Sequence, residues 1–145
     1  MKTPWHIWVV GVVTLLWHGF GAYDYLMSAT RNAAYFEMIP EDQRPGMLAY
    51  LDGMPVWAVS TWALGVWGSV VGSLLILLRS RHAVAAFVLS LIGLIGTSLY
   101  TYVLAPVPAM SRMNSVAMII TLTIVVVLLA TLFYARRQVA LGNLR

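Results

Sequence analysis

The chain has 145 residues, 61% of them hydrophobic and 10% charged, with nine Lys and Arg against five Asp and Glu and no cysteine. A soluble domain carries about 25% charged residues, so this composition belongs in a bilayer, and the length allows one compact unit without a second domain of ordinary size. The absence of cysteine excludes disulfides, thiol catalysis and Cys-ligated zinc or iron–sulfur centres.

A hydrocarbon core of about 30 Å is crossed by roughly 20 apolar residues in a helix. Four runs meet that requirement, and together they predict an all-α, polytopic four-transmembrane-helix bundle forming a single integral membrane domain over residues 1–145. The first span covers about 5–25 and is broken only by His18 and by Asp24 at its end. Its apolar run exceeds the usual 7–15 residues of a signal peptide and has no small-x-small cleavage site before Tyr23, so a retained helix is expected.

An outer loop or cap follows over 28–54. The helical pattern continues at first through Tyr35, and Ile39-Pro40-Glu41-Asp42 then reads as a helix start, unless that helix begins at Pro45. Met47, Leu48, Leu51 and Met54 stand at helical spacing, as in an amphipathic cap; the ordinary alternative is a surface loop with one packed apolar side.

The second span, 56–78, stops at Arg79-Ser80-Arg81-His82. The third, 83–105, ends before Pro106 and Pro108, and the fourth, 116–134, runs to Arg136-Arg137 and a tail over 135–145. Lys2, Arg79, Arg81, Arg136, Arg137 and Arg145 fall on one side of this arrangement, against Arg31, Arg44 and Arg112 on the other. That balance predicts both termini in the cytoplasm. The basic residues sit beside helix ends and form no patch, so nucleic acid is not an expected partner.

Small residues mark where helices approach each other in lipid. Ala58, Thr61, Gly65, Gly68 and Gly72 form such a seam on the second span; Ala86, Ser90, Gly93, Thr97 and Tyr100 on the third; and Gly11, Thr14, His18, Gly21 and Tyr25 on the first. The fourth span has no clear stripe and is the expected lipid-facing or partner-facing helix. Gly65, Gly68, Gly72 and Gly93 are the predicted helix-packing positions.

The candidate polar site consists of His18, Tyr23, Asp24, Arg31 and Tyr100. His18 is the ionisable residue deepest in the membrane, a functional hypothesis set against a neutral imidazole donating to a Ser, Thr or Tyr across the bundle. A haem between two histidines needs a second intramembrane His, which one chain lacks and only a dimer pairing two copies of His18 could supply; no cofactor and no metal are expected. Asp24 lies at a helix C-terminus, against the dipole, and calls for a partner or for water; Arg31, seven residues on, is the nearest base, with Tyr23 or Tyr100 as donors. Most of the rings, Trp5, Trp8, Trp57 and Tyr134 included, read as an aromatic belt. Gly19-x-x-x-Tyr23-x-Tyr25 and Gly96-x-x-x-Tyr100-x-Tyr102 share a pattern that also fits a parallel two-helix repeat.

Gly21-Ala22-Tyr23-Asp24-Tyr25-Leu26-Met27-x-x-Thr30-Arg31-Asn32, Pro55-x-Trp57-Ala58-x-x-x-Trp62-Ala63-x-x-Val66-Trp67-Gly68-x-x-x-Gly72, and Arg79-x-Arg81-x-Ala83-Val84-x-x-Phe87-x-x-Ser90-Leu91 carry a resemblance over about the first two-thirds of the chain. They resemble a family of small four-helix bacterial inner-membrane proteins, uncharacterised and sometimes automatically labelled sugar transporter. The resemblance implies the bacterial cytoplasmic membrane. His18 departs from it, since Asn follows the Trp in the family.

Two function classes fit. With no catalytic constellation or phosphate loop in the sequence, the first is a non-enzymatic accessory or structural subunit, packed in the lipid bilayer against itself as a homo-oligomer or against a larger membrane partner. The alternative is an oligomeric small-solute, sugar-like transporter with an outward-facing polar site. It lacks the mid-membrane Glu that would make it resemble the small multidrug-resistance transporters.

Overall fold

In lipid, a backbone satisfies its N–H and C=O groups within its own segment, which favours helix even for runs rich in β-branched residues. The computed structural model describes residues 4–105 and 115–145 and contains helices and no strand among them. Four elements are long and apolar enough to cross a membrane: α1 (Trp5–Ala29), α4 (Val56–Leu77), α5 (Ala83–Leu99) with its continuation as a π-helical turn (Tyr100–Leu104), and α6 (Ser115–Ala140). Two short helices, α2 (Ala33–Glu37) and α3 (Arg44–Asp52), connect α1 to α4. The protein is therefore a membrane protein with a four-helix bundle. Lys2, Arg112, Pro106 and Pro108, used in the sequence reading, lie outside the described residues.

Helix ends account for the main differences from expectation. The helical pattern expected to run from α1 through Tyr35 breaks after Ala29, because the chain closes there in a Schellman motif. Arg31 N–H donates to the Ser28 carbonyl and Asn32 N–H to the Met27 carbonyl, at 3.2 and 3.0 Å, with Arg31 left-handed at φ 53°. The same motif ends α4, where Arg79 has φ 57° and Ser80 N–H reaches the Leu75 carbonyl, and α6, where Gly142 has φ 72° and Asn143 N–H reaches the Gln138 carbonyl. Two of the three left-handed positions thus hold arginine where glycine is the usual solution, at about 1 kcal/mol each. Asn32 then caps α2 by accepting from Tyr35 N–H at 3.0 Å. Helix α3 carries Pro45 in its first turn, so the cap helix starts there and not at Pro40. Helix α6 continues to Ala140, which places Arg136 and Arg137 inside the helix and not in a tail.

The principal packing runs α1 on α4, α4 on α5 and α5 on α6. Between α4 and α5 the glycines stand at the closest approach of the two helices. A methyl group added at Gly68 would lie 3.0 Å from Ser90, one at Gly72 would lie 2.7 Å from the Phe87 ring, and one at Gly93 would strike the Gly65 backbone and the Thr61 carbonyl. Ser90 Oγ donates to the Gly65 carbonyl at 2.5 Å across this contact. On α1 the buried face is Ile7, Gly11, Thr14, His18 and Ala22. Gly21, assigned to that seam, meets nothing within 4 Å; Ala22, one residue on, takes its place.

The basic end of the bundle is closed. Ile7, Ile76, Phe87, Leu128, Leu132 and Leu144 pack into one core there, and His6 Nδ1 lies 2.6 Å from the Tyr134 hydroxyl, joining α1 to α6. The last residues fold back onto the α4–α5 connection: Arg145 N–H donates to the Arg79 carbonyl at 2.8 Å, and Arg81 N–H to the Arg145 carbonyl at 3.0 Å. The opposite end carries Asp24 and Arg31 at the end of α1, with Arg44 and Asp52 at the two ends of α3 in the cap. Between Ile119 and Val127 no residue of α6 is buried, and a hydrogen bond of 3.0 Å joins Thr121 to Tyr102.

Candidate functional site

The structure distributes the five residues of the candidate polar site among four separate arrangements. His18 is buried in mid-bundle, with Nδ1 2.9 Å from Ser73 Oγ, and the Ser73 hydroxyl in turn donates to the Ser69 carbonyl at 3.0 Å. His18 thus joins α1 to α4 through Ser73, and the Phe87 ring lies 6.0 Å from it.

Arg31 does not pair with Asp24. Its left-handed backbone turns the side chain off the face of α1, and Nε and Nη2 bond Asp52 Oδ1 at 3.0 and 2.8 Å, tying the end of α1 to the end of α3. Its Nη1 donates to the Ser28 carbonyl at 2.6 Å. Tyr100 and Tyr23 are not the donors to Asp24 either. The Tyr100 hydroxyl donates to the Gly53 carbonyl at 3.2 Å, and Tyr23 is half exposed with its ring against Tyr35. The donor to Asp24 Oδ1 is the hydroxyl of Tyr35, on α2.

Around Asp24 lies a cavity of about 290 Å³. Its floor is formed by Trp62 of α4, Thr97 of α5 and Thr101 of the π-helical turn; its roof by Tyr35 and Phe36 of α2 and by Met47, Tyr50 and Leu51 of α3. Of the two readings of this segment, the helical cap is the one found, with Leu51 buried and Tyr50 and Met54 packed toward Ala58 and Tyr100. The extra residue of the π-helical turn brings Thr101 to Tyr50, hydroxyl to hydroxyl at 2.9 Å, and Tyr100 to the start of α4. Tyr25 packs edge-on to Trp62, with ring centroids 4.7 Å apart.

Electrostatics on the cap side favour neutral phenols. Burial, reinforced by the hydrogen bond and negative charge of Asp24, pushes the Tyr35 hydroxyl up to about 12. Burial also raises Tyr50, with the Thr101 hydrogen bond acting the other way. Both remain proton donors at any physiological pH.

Sequence reasoning missed Tyr35, Trp62, Thr97 and Thr101. Thr97 was read as part of the α5 packing seam and Trp62 stands beside Thr61 of the α4 seam, so both were legible as packing positions and not as site residues; Tyr35 was read only as the end of a continuing helix, since it reaches Asp24 through the turn at Arg31. Among the described residues no group of three or more His, Asp or Glu is placed to hold a metal ion. Comparison with family models, curated proteins and solved structures finds no match.

Proposed function

We propose that this chain is a non-enzymatic accessory or structural subunit of the bacterial cytoplasmic membrane, crossing it four times with both termini inside and packing against a larger membrane partner or a second copy through α6. The observation that supports this reading is the contrast within α6. Leu128, Thr131, Leu132 and Ala135 are buried in the basic-end core, while Ile119, Ile120, Leu122 and Val126, nearer the acidic end, are exposed. An apolar helix held at one end by its own bundle presents the other end to lipid or to a partner helix.

Orientation is supported by Arg79, Arg81, Arg136, Arg137 and Arg145 at one end, since cytoplasmic loops are enriched in Lys and Arg. A reporter fused after Arg145 behaves as cytoplasmic on this reading, and one inserted at Gln43 as periplasmic. The resemblance noted for the first two-thirds of the chain supports the same membrane. The subunit role is tested by native mass spectrometry of the protein released in mild detergent at native expression. A defined stoichiometry with a second copy or another membrane protein is expected, and a monodisperse monomer under all mild conditions contradicts it.

A second reading is favoured by the cavity at Asp24: a small solute binds there, at an outward-facing site of a transporter. Saturable binding to the purified protein tests it.

A further inference from the structure

We infer that the cavity beside Asp24 is a binding site for an organic ammonium group carrying an apolar arm. This deepens the second reading above and rests on it.

The lining has one charge and it is unmatched. Asp24 Oδ1 accepts from Tyr35, but among the described residues no cation stands within ion-pair distance of it. The nearest base in sequence, Arg31, is committed to Asp52 and to the Ser28 carbonyl. Asp24 is partly buried at the cavity edge, where its charge is open to a cationic ligand.

Several of the hydrogen-bond donors around it are engaged, while the Ser28 hydroxyl and the Trp62 indole N–H also line the cavity. Tyr35 donates to Asp24, the Tyr50 and Thr101 hydroxyls bond each other, and the Thr97 hydroxyl donates to the Gly93 carbonyl at 3.0 Å. A sugar, which carries no charge, leaves the Asp24 carboxylate uncompensated. A ligand that brings positive charge and apolar bulk finds a carboxylate, the Trp62 indole and thioether and aliphatic walls. Aromatic faces beside a carboxylate are the chemistry that recognises ammonium groups. The same chemistry is available from two sources, a free organic cation or the ethanolamine headgroup of a neighbouring lipid, because the cavity lies at one end of the apolar spans.

The test is calorimetric titration of the full-length protein in maltoside detergent with benzyltrimethylammonium, using benzyl alcohol and glucose as neutral probes. Saturable binding of the ammonium alone is expected. Asp24→Asn keeps an oxygen for the Tyr35 hydroxyl and removes the charge, so it should weaken binding about ten- to hundredfold; Trp62→Leu should weaken it several-fold; Val125→Leu, on α6 and outside the cavity, should leave it unchanged. Thermal melts establish that each variant is folded, and Asp24→Glu, which keeps the charge, should retain binding where Asp24→Asn loses it. Binding of glucose without the ammonium overturns the ligand class and leaves the solute pocket standing, while absence of binding by any probe overturns both. Unchanged affinity in folded Asp24→Asn also overturns the proposal. Repeating the titration in nanodiscs with and without phosphatidylethanolamine separates the sources: suppression by that lipid assigns the ammonium to a headgroup, and undiminished binding assigns it to a free solute, each with the Asp24 dependence intact.

Discussion

His18 on α1 and Ser73 on α4 are joined by a buried hydrogen bond of 2.9 Å, and the Ser73 hydroxyl donates a hydrogen bond to the Ser69 carbonyl. The imidazole is thereby a structural link between two helices, which accounts for a histidine at this depth without any proton-transfer role. Polar bonds between membrane helices contribute about 0.6 kcal/mol on average and up to about 1.7 kcal/mol. Ser73→Ala and His18→Leu should each lower the melting temperature in detergent, and the double variant should be less damaging than the two single losses combined. Strict additivity in this cycle would show that the two side chains do not act as a pair.

The α4–α5 seam yields a sharper contrast, because at Gly93 the opposing atoms belong to backbone and cannot swing away. Gly93→Leu and Gly72→Ile should prevent assembly or lower thermal stability by several kcal/mol, in line with overpacking of a tight contact. Val125→Leu on α6 should be tolerated. Gly19→Ala, with nothing within 4 Å of the added methyl, should be neutral or stabilise α1 by up to about 1 kcal/mol. Circular-dichroism melts of the four variants make the comparison.

The spans and the seam were legible in the sequence because both depend on local pattern: run length gives the helix, and small residues spaced by three and four give its contact face. The acidic end was not, because it depends on where the chain turns. A left-handed arginine is not announced by any residue type, so Arg31 read as a continuation of α1 that kept it two turns from Asp24. Once the Schellman motif closes at Arg31, the side chain goes to Asp52 and Tyr35 comes back to Asp24. The docking of Arg145 on Arg79 and Arg81 was hidden for the same reason, resting on a left-handed Arg79 and Gly142.

That rearrangement changes which pairs are coupled. Asp24→Asn and Arg31→Gln should be additive, whereas Arg31→Gln and Asp52→Asn should not. The Arg31–Asp52 coupling should be small, since Asp52 is 69% exposed and an ion pair in that setting contributes about 0–1 kcal/mol at most. Urea or thermal unfolding of the two double-variant cycles separates these pairings, and a coupled Asp24–Arg31 cycle would contradict the observed one.

Tyr35 makes a prediction in pH. Its hydroxyl is raised from the ordinary 10 to about 12 in the folded protein, so the folded state holds its proton more tightly than the unfolded state does. The resulting stabilisation is fully present below pH 10 and is lost as pH rises through about 12. Ultraviolet titration of tyrosinate should show one phenol titrating near 12 that disappears in Tyr35→Phe, and the variant should lack the loss of stability between those two values.

The central claim is that the acidic-end half of α6 is a contact surface for another membrane protein or a second copy. It is tested most directly by a photo-crosslinking residue placed at Leu122 or Val126, in the full-length protein at native expression, with Leu16 on the exposed face of α1 as the comparison. A discrete protein adduct from positions 122 and 126, absent from position 16, is the expected result. Lipid adducts alone from all three positions would contradict the subunit role.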